Sequence, residues 1–301
     1  MARRRRLVVG AVGALALVGA GVLGAQLLGE EGDQVVWVLG DACLARDTPI
    51  NCGDVGEVIA ADDERDAVLV PGDAQYVTGT LEEYTEWYDK RLGSGPGLKE
   101  ITYPVPGNHD YETGEADGYF AYFEERAGDP AKGYYSVTLG DWRIVAANSN
   151  CSHVNGCGEK SDQGQFIREA LDGSERCELL FAHDTAFSDG PHGDTEEGHH
   201  LFSIAYDGHA ELYVSGHDHS YQRFGPKDPD GSDDPDGVQS FVVGTGGSDL
   251  TDWRSSTQRS EFRQNTEFGA LRLVLGEDGW SSRFISVEGK VLDTASGGCR
   301  S

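Results

Sequence analysis

A chain of 301 residues, 38% of them hydrophobic, can bury one large core, and no linker or change of composition near its middle divides it in two. Acidic residues outnumber basic ones 52 to 24, and the formal net charge of −28 excludes a nucleic-acid or anionic-membrane surface as partner, because phosphate backbones are gripped by Lys and Arg. Acid on this scale is a solvated surface suited to high salt or demanding solubility, and it carries no catalytic information.

At the N-terminus Arg3, Arg4, Arg5 and Arg6 precede an almost unbroken apolar run from Leu7 to Leu28, followed by Glu30, Glu31 and Asp33. Basic end, apolar stretch and polar exit predict a secretory signal or an N-terminal membrane anchor over residues 1–32, with 33–301 exported as one domain. The run is long enough to span a bilayer and its cleavage site is mediocre, so both forms stand. Four flanking arginines speak against a buried core helix. Six cysteines, all downstream of the run, agree with an oxidising compartment. Close spacing pairs Cys43 with Cys52 and Cys151 with Cys157, which leaves Cys177 for Cys299. No Cys-x-x-C pair suggests a zinc site.

Short β-branched runs then alternate with helical patterns. Strands are predicted at Val35–Leu39, Ala67–Val70, Ile101–Val105, Tyr134–Leu139, Trp142–Ala147, Glu178–Ala182, Glu211–Ser215, Ser240–Val243, Ala270–Leu275 and Trp280–Val287. Thr80 to Glu83 form a capping box, after which Leu81, Tyr84, Trp87, Tyr88 and Leu92 share one helical face and read as core. Further helices are predicted at Tyr119–Arg126, Gln163–Leu171 and about Leu201–Tyr206. Strand–loop–helix order early and hairpin-like strands late predict two packed sheets with helices outside. Gly225 to Gly237, rich in aspartate and proline, reads as a solvated loop and lacks the spacing of an EF-hand.

Metal-type residues stand just after the hydrophobic runs. Asp41 and Asp73 end the first two, Asn108 and His109 follow the third, His183 follows Leu179-Leu180-Phe181-Ala182, and His217 and His219 follow Glu211–Ser215. A lone Gly-Asp is most often a capped turn, and a lone histidine most often a satisfied core residue. Five such loops at the carboxyl edges of strands can instead place seven oxygen and nitrogen ligands around two adjacent cations, which suits hydrolysis of a phosphate ester.

These residues resemble the calcineurin-like metallophosphoesterases, and within them the purple acid phosphatase branch. Its motif series GD, GDxxY, GNH(D/E), a lone His and GHxHxYxR is matched in order by Gly40-Asp41, Gly72-Asp73-x-x-Tyr76, Gly107-Asn108-His109-Asp110, His183, and Gly216-His217-x-His219-x-Tyr221-x-Arg223. The resemblance covers about residues 33 to 299. It implies a four-layer αββα sandwich of two mixed β-sheets flanked by helices. It also implies that Asp41, Tyr76 and His219 hold one metal, that Asn108, His183 and His217 hold the other, and that Asp73 bridges them. A phenolate ligand biases the first site toward Fe(III), with Fe, Zn or Mn(II) in the second. The activity implied is acid-phosphatase-like hydrolysis of phosphomonoesters by in-line attack of a metal-bound hydroxide. His109 would be the acid or transition-state donor, and Asn108, His109, Tyr221 and Arg223 the substrate contacts.

One feature sets the chain with this branch, and two depart from the branch's pattern. Position 43 is Cys where most metallophosphoesterases outside this branch have His. Asp184 follows the lone His183, where it can hydrogen-bond that imidazole or change the pocket's charge. There is no room for the separate N-terminal sandwich domain common in the branch. His192, His199 and His200 read as surface residues with the substrate mouth as alternative, and the loop of His153 can reach the same rim. Gly244-Thr245-Gly246-Gly247 reads as a turn rather than a phosphate cradle. A phosphodiesterase or nucleotidase on the same metals, or a non-catalytic metal-binding protein, remain the alternative functions. The sequence names no protein partner.

Overall fold

The computed structural model describes residues 32–172 and 177–300; the expected signal or anchor lies outside the described residues. The strands in chain order are β1 (Gln34–Val38), β2 (Cys43–Leu44), β3 (Arg65–Pro71), β4 (Gln75–Tyr76) and β5 (Thr102–Val105). They continue as β6 (Tyr135–Leu139), β7 (Trp142–Ala146), β8 (Cys177–Phe181), β9 (Leu212–Ser215) and β10 (Tyr221–Lys227). The last five are β11 (Val238–Val243), β12 (Phe262–Gln264), β13 (Gly269–Gly276), β14 (Gly279–Ser286) and β15 (Val291–Gly298). Two mixed sheets result, of order β15-β14-β13-β1-β3-β5 and β12-β10-β11-β9-β8-β7-β6, with β2 and β4 as a separate short pair.

The nearly continuous apolar runs follow from burial on both faces of each sheet. Val36 and Val38 of β1 meet Leu179, Phe181 and Val214 of the other sheet in the central core. Their neighbours Val35 and Trp37 point the opposite way, into a core that holds Tyr84, Tyr88, Tyr119 and Phe123 from the helices. On the far side of the second sheet, Leu180, Tyr213 and Val242 pack with Ile167, Leu201 and Phe202. The layers are therefore helix, sheet, sheet, helix, the predicted four-layer sandwich.

All three expected disulfides, Cys43–Cys52, Cys151–Cys157 and Cys177–Cys299, are present. Thr80 caps its helix, and its box with Glu83 is complete. The expected face of that helix needs correction at two positions, one of them Trp87, which is half-buried outside the core with Arg91 over its ring. Tyr84, Tyr88 and Leu92 are buried, whereas Leu81 is 45% exposed. Helical side chains lean toward the N-terminus, so the first residue overhangs the helix end and finds nothing beneath it. Gly225 to Lys227, read as loop, belong to β10. Strand β15 and the helix Cys52–Ala60 escaped the pattern reading as well. The first is rich in Gly and Ser and gains its order from pairing with β14, and the second contains two glycines that packing overrides.

Candidate metal centre

Parallel strands β1, β3 and β5 of one sheet and β8 and β9 of the other end at the same rim, and each is followed by one of the motif loops. The turns are tight. Asp41, Asp73 and His217 adopt the left-handed backbone region, with φ of 55°, 47° and 69°. Each costs on the order of 1–2 kcal/mol and persists only where the surroundings enforce it. The motif glycines admit the loops to one another. A Cβ on Gly72, itself at φ +81°, would lie 2.4 Å from His183 Nδ1, and one on Gly107 would lie 2.1 Å from Asp73 Oδ1.

Two clusters form. In the first, the Tyr76 hydroxyl donates to Asp41 Oδ1 at 2.7 Å and lies 2.9 Å from His219 Nε2, which is 3.4 Å from the same carboxylate oxygen. In the second, His183 Nε2 faces Asn108 Oδ1 at 3.1 Å and His217 Nδ1 at 3.2 Å. Asp73 stands beside the second cluster, its Oδ2 3.4 Å from His183 Nε2, while its Oδ1 accepts the backbone N–H of His109. Its charge and hydrogen bonding also act on Tyr76 of the first cluster. Asp41, Asp73 and His183 offer ligand atoms within 4.8 Å of one another. All seven sequence-predicted ligands are thus brought to one place.

The outer nitrogens of the rings are fixed by carbonyls. His183 Nδ1 lies 3.0 Å from Pro71 O, His219 Nδ1 2.6 Å from Asp249 O, and His109 Nδ1 2.8 Å from Val77 O. Because a carbonyl only accepts, those nitrogens carry the protons, and in the neutral rings Nε2 presents a lone pair. In the second cluster Asn108 Oδ1, Asp73 Oδ2 and the facing nitrogens of His183 and His217 converge on a space whose charge a proton on His183 or a cation can balance. The donor set fits metal.

The electrostatics agree. Burial opposes a charge on His183, yet Asp73 and Asp41 outweigh it and hold its pKa well above the ordinary histidine value. Burial and that neighbouring charge then push His217 down to about 4. The pair accepts one positive charge, not two. Burial, followed by the charges of Asp41 and Asp73, drives the Tyr76 phenol well above its usual value, so a phenolate here requires a cation.

Several expected roles move. Tyr221 is buried and donates to Asp293 Oδ2 at 2.9 Å, while Arg223 reaches the same carboxylate at 2.8 and 3.1 Å and also pairs with Glu261. The structure corrects their assignment as substrate contacts: they join β10 to β15 of the opposite sheet. Asp184 does not reach His183, whose outer nitrogen Pro71 occupies; its Oδ1 lies 4.0 Å from His217 Nε2. His192 is at the site, its ring stacked on His217 at 4.2 Å and its Nδ1 3.2 Å from Asp218. The sequence held the substrate mouth only as the alternative for it, because its position depends on a loop held by Asp218, which accepts the N–H groups of His192 and Gly193. His199 packs edge-on to Phe187, His200 is exposed, and His153 stacks on Tyr111. Asp110 is buried and fastens the motif loop through Gly107 N–H and the Tyr84 hydroxyl; burial and the charge of Asp73 raise its carboxyl to about 7. Thr245 to Gly247 pack beneath Asp41, with Gly246 N–H donating to Gly40 O, as a structural turn.

Beside the first cluster, Leu44, Tyr76, Val77 and His219 line a cleft of about 290 Å³. Comparison with known proteins adds the family. The profile of the calcineurin-like phosphoesterases matches residues 34–221. The chain belongs to that family. A calcineurin-like phosphoesterase works with a dinuclear metal centre on phosphate esters. The structure is similar to purple acid phosphatase PPD1 from yellow lupin seeds, at a TM-score of 0.76 and 18% identity over 89% of this chain and 54% of that one. This phosphoesterase therefore spans about half the length of the lupin enzyme. It is also similar to GAP50, the anchor in the inner membrane complex of Plasmodium, at 0.64 and 15% over 90% of each chain. A third likeness is to PhoD, at 0.56 and 11% over 89% of this chain and 69% of that one. No curated protein sequence matches.

Proposed function

We propose that this phosphoesterase is an exported phosphomonoesterase with a dinuclear, purple-acid-phosphatase-like centre. The observation that carries the reading is the convergence of acceptor atoms from Asp41, Tyr76 and His219 on one side and Asn108, His183 and His217 on the other, with Asp73 next to both. Two bound cations would polarise the phosphoryl oxygens and acidify a water. The chain's own part is orientation and proton transfer. His109 is held by Val77 O and by contact with the Tyr76 ring, its centroid 4.6 Å away, so Nε2 is the nitrogen left to serve a leaving oxygen. His192 and Asn108 flank the second metal position and can contact phosphate. Assays with aryl and alkyl phosphomonoesters, a phosphodiester and a nucleotide, on protein of measured metal content, test the proposal; turnover of diesters alone would transfer it to the phosphodiesterase class.

His109→Ala should retain its metals and lose roughly 10²–10⁴-fold in kcat on poor leaving groups, with a smaller loss on activated aryl phosphates. Loss of metal in the variant would make His109 a ligand or a structural residue instead. For iron in the first site, the oxidised protein should be coloured by phenolate-to-metal charge transfer, and Tyr76→Phe should bleach it. Colour that survives the substitution would leave Tyr76 a packing residue.

The likeness to an anchor protein favours a non-catalytic reading as the competitor. The placement of His109, which no ligand role requires, speaks for turnover. Export is supported by the three disulfides and by the basic and apolar N-terminal sequence; among the described residues no helix is long and apolar enough to cross a membrane.

A further inference from the structure

We propose that a cleft of about 370 Å³, lined by Arg254, Ser255, Thr257 and Arg259 among others, is a second anion subsite, and that the substrate carries a second phosphate a sugar's width from the scissile one. The proposal rests on the phosphoesterase reading of the metal centre.

Position comes first. A Cβ on Gly193 would lie 2.5 Å from Arg254 Nη1, so the guanidinium rests against that glycine, whose φ of +71° no side chain would readily adopt. Gly193 adjoins His192, whose ring stacks on His217. Two residues thus separate Arg254 from a proposed metal ligand, a span on the order of 10 Å. A span of that order accommodates two phosphates carried on one sugar.

Charge comes second. Arg259 is occupied by Asp189 and Asp194, and Arg263 lies 3.4 Å from Asp189. Arg254 faces the same cleft as Arg259, Asp189 and Asp194 and makes no ion pair among the described residues, while both carboxylates are engaged by Arg259. On the other rim Arg46 is already paired with Asp249 at 3.2 Å. In a chain of net charge −28, the unpaired cation stands beside the metal centre. Its backbone is anchored, since Arg254 N–H donates to Asp189 O and the Asp189 carboxylate accepts Ser260 and Arg259 N–H groups. A guanidinium so mounted can hold a phosphate in two-pronged fashion, with the Ser255 and Thr257 hydroxyls on the same wall.

The test compares phosphonate analogues of fructose 6-phosphate and fructose 1,6-bisphosphate, which are not hydrolysed, by calorimetric titration of the metal-loaded protein, beside turnover of the two natural esters. The bisphosphonate should bind roughly tenfold tighter. Arg254→Ala should erase that preference, Arg254→Lys should restore part of it, and Arg168→Ala, on the exposed face of the helix Asp162–Ala170, should keep it. Equal binding of the two analogues, or a preference unchanged in Arg254→Ala, overturns the subsite while turnover of either ester leaves the hydrolase reading standing. An Arg254-dependent preference in a protein that hydrolyses neither these esters nor the aryl and alkyl phosphates keeps the subsite and overturns the hydrolase.

Discussion

Asp73→Asn is expected to lower metal content at both positions and to reduce kcat/KM on the order of 10³-fold. The residue is 1% exposed, its Oδ2 lies 3.4 Å from His183 Nε2, and its charge acts on Tyr76 in the other cluster. A residue that merely orients a ligand costs roughly 10–100-fold when removed, so a shared anionic ligand should exceed that range. Asparagine keeps the volume and an acceptor for His109 N–H, which isolates the loss of charge from collapse of the loop. Elemental analysis beside a thermal melt checks the outcome. Two retained metals with a native melt would show that Asp73 bridges nothing. By contrast, His217→Ala removes a group that touches only the second cluster, and the first metal should remain.

The Cys177–Cys299 bond should be the largest single covalent contribution to stability. It closes a separation of 122 residues and ties β8, near the middle of one sheet, to the end of β15 at the edge of the other. Chain-entropy reasoning assigns it roughly 5 kcal/mol, against roughly 2 kcal/mol for Cys151–Cys157, whose separation is 6. Domain stabilities lie at about 5–15 kcal/mol, so the paired substitution Cys177→Ser with Cys299→Ser should shift urea unfolding drastically. The corresponding change at Cys151 and Cys157 should shift it far less. Equal losses from the two pairs would refute the loop-length account.

Most of the centre was legible because metal chemistry restricts residue type so strongly. Asp41, Asp73, Asn108, His183, His217 and His219 stand directly after apolar runs, and a run that ends in a metal-type residue can be recognised without coordinates. Tyr76 was legible only through its spacing from Asp73 in the motif. The strands buried on both faces were equally plain, since β1, β3, β8 and β9 are composed almost wholly of apolar residues.

Other features depend on contacts between distant segments. Tyr221 and Arg223 belong to the motif series by sequence, yet alternation along β10 and the arrival of Asp293 from β15 direct them to the joint between the sheets. His192 reaches His217 only because the Asp218 carboxylate gathers the loop from Ser188 to Gly193. Leu81 lost its expected partner at a helix end, where periodicity ceases to define a face. The candidate ligands, strand composition and cysteine spacing were therefore decided within short stretches of sequence. Which side chains meet the substrate was decided by tertiary structure, because it depends on where loops from separate strands come to rest.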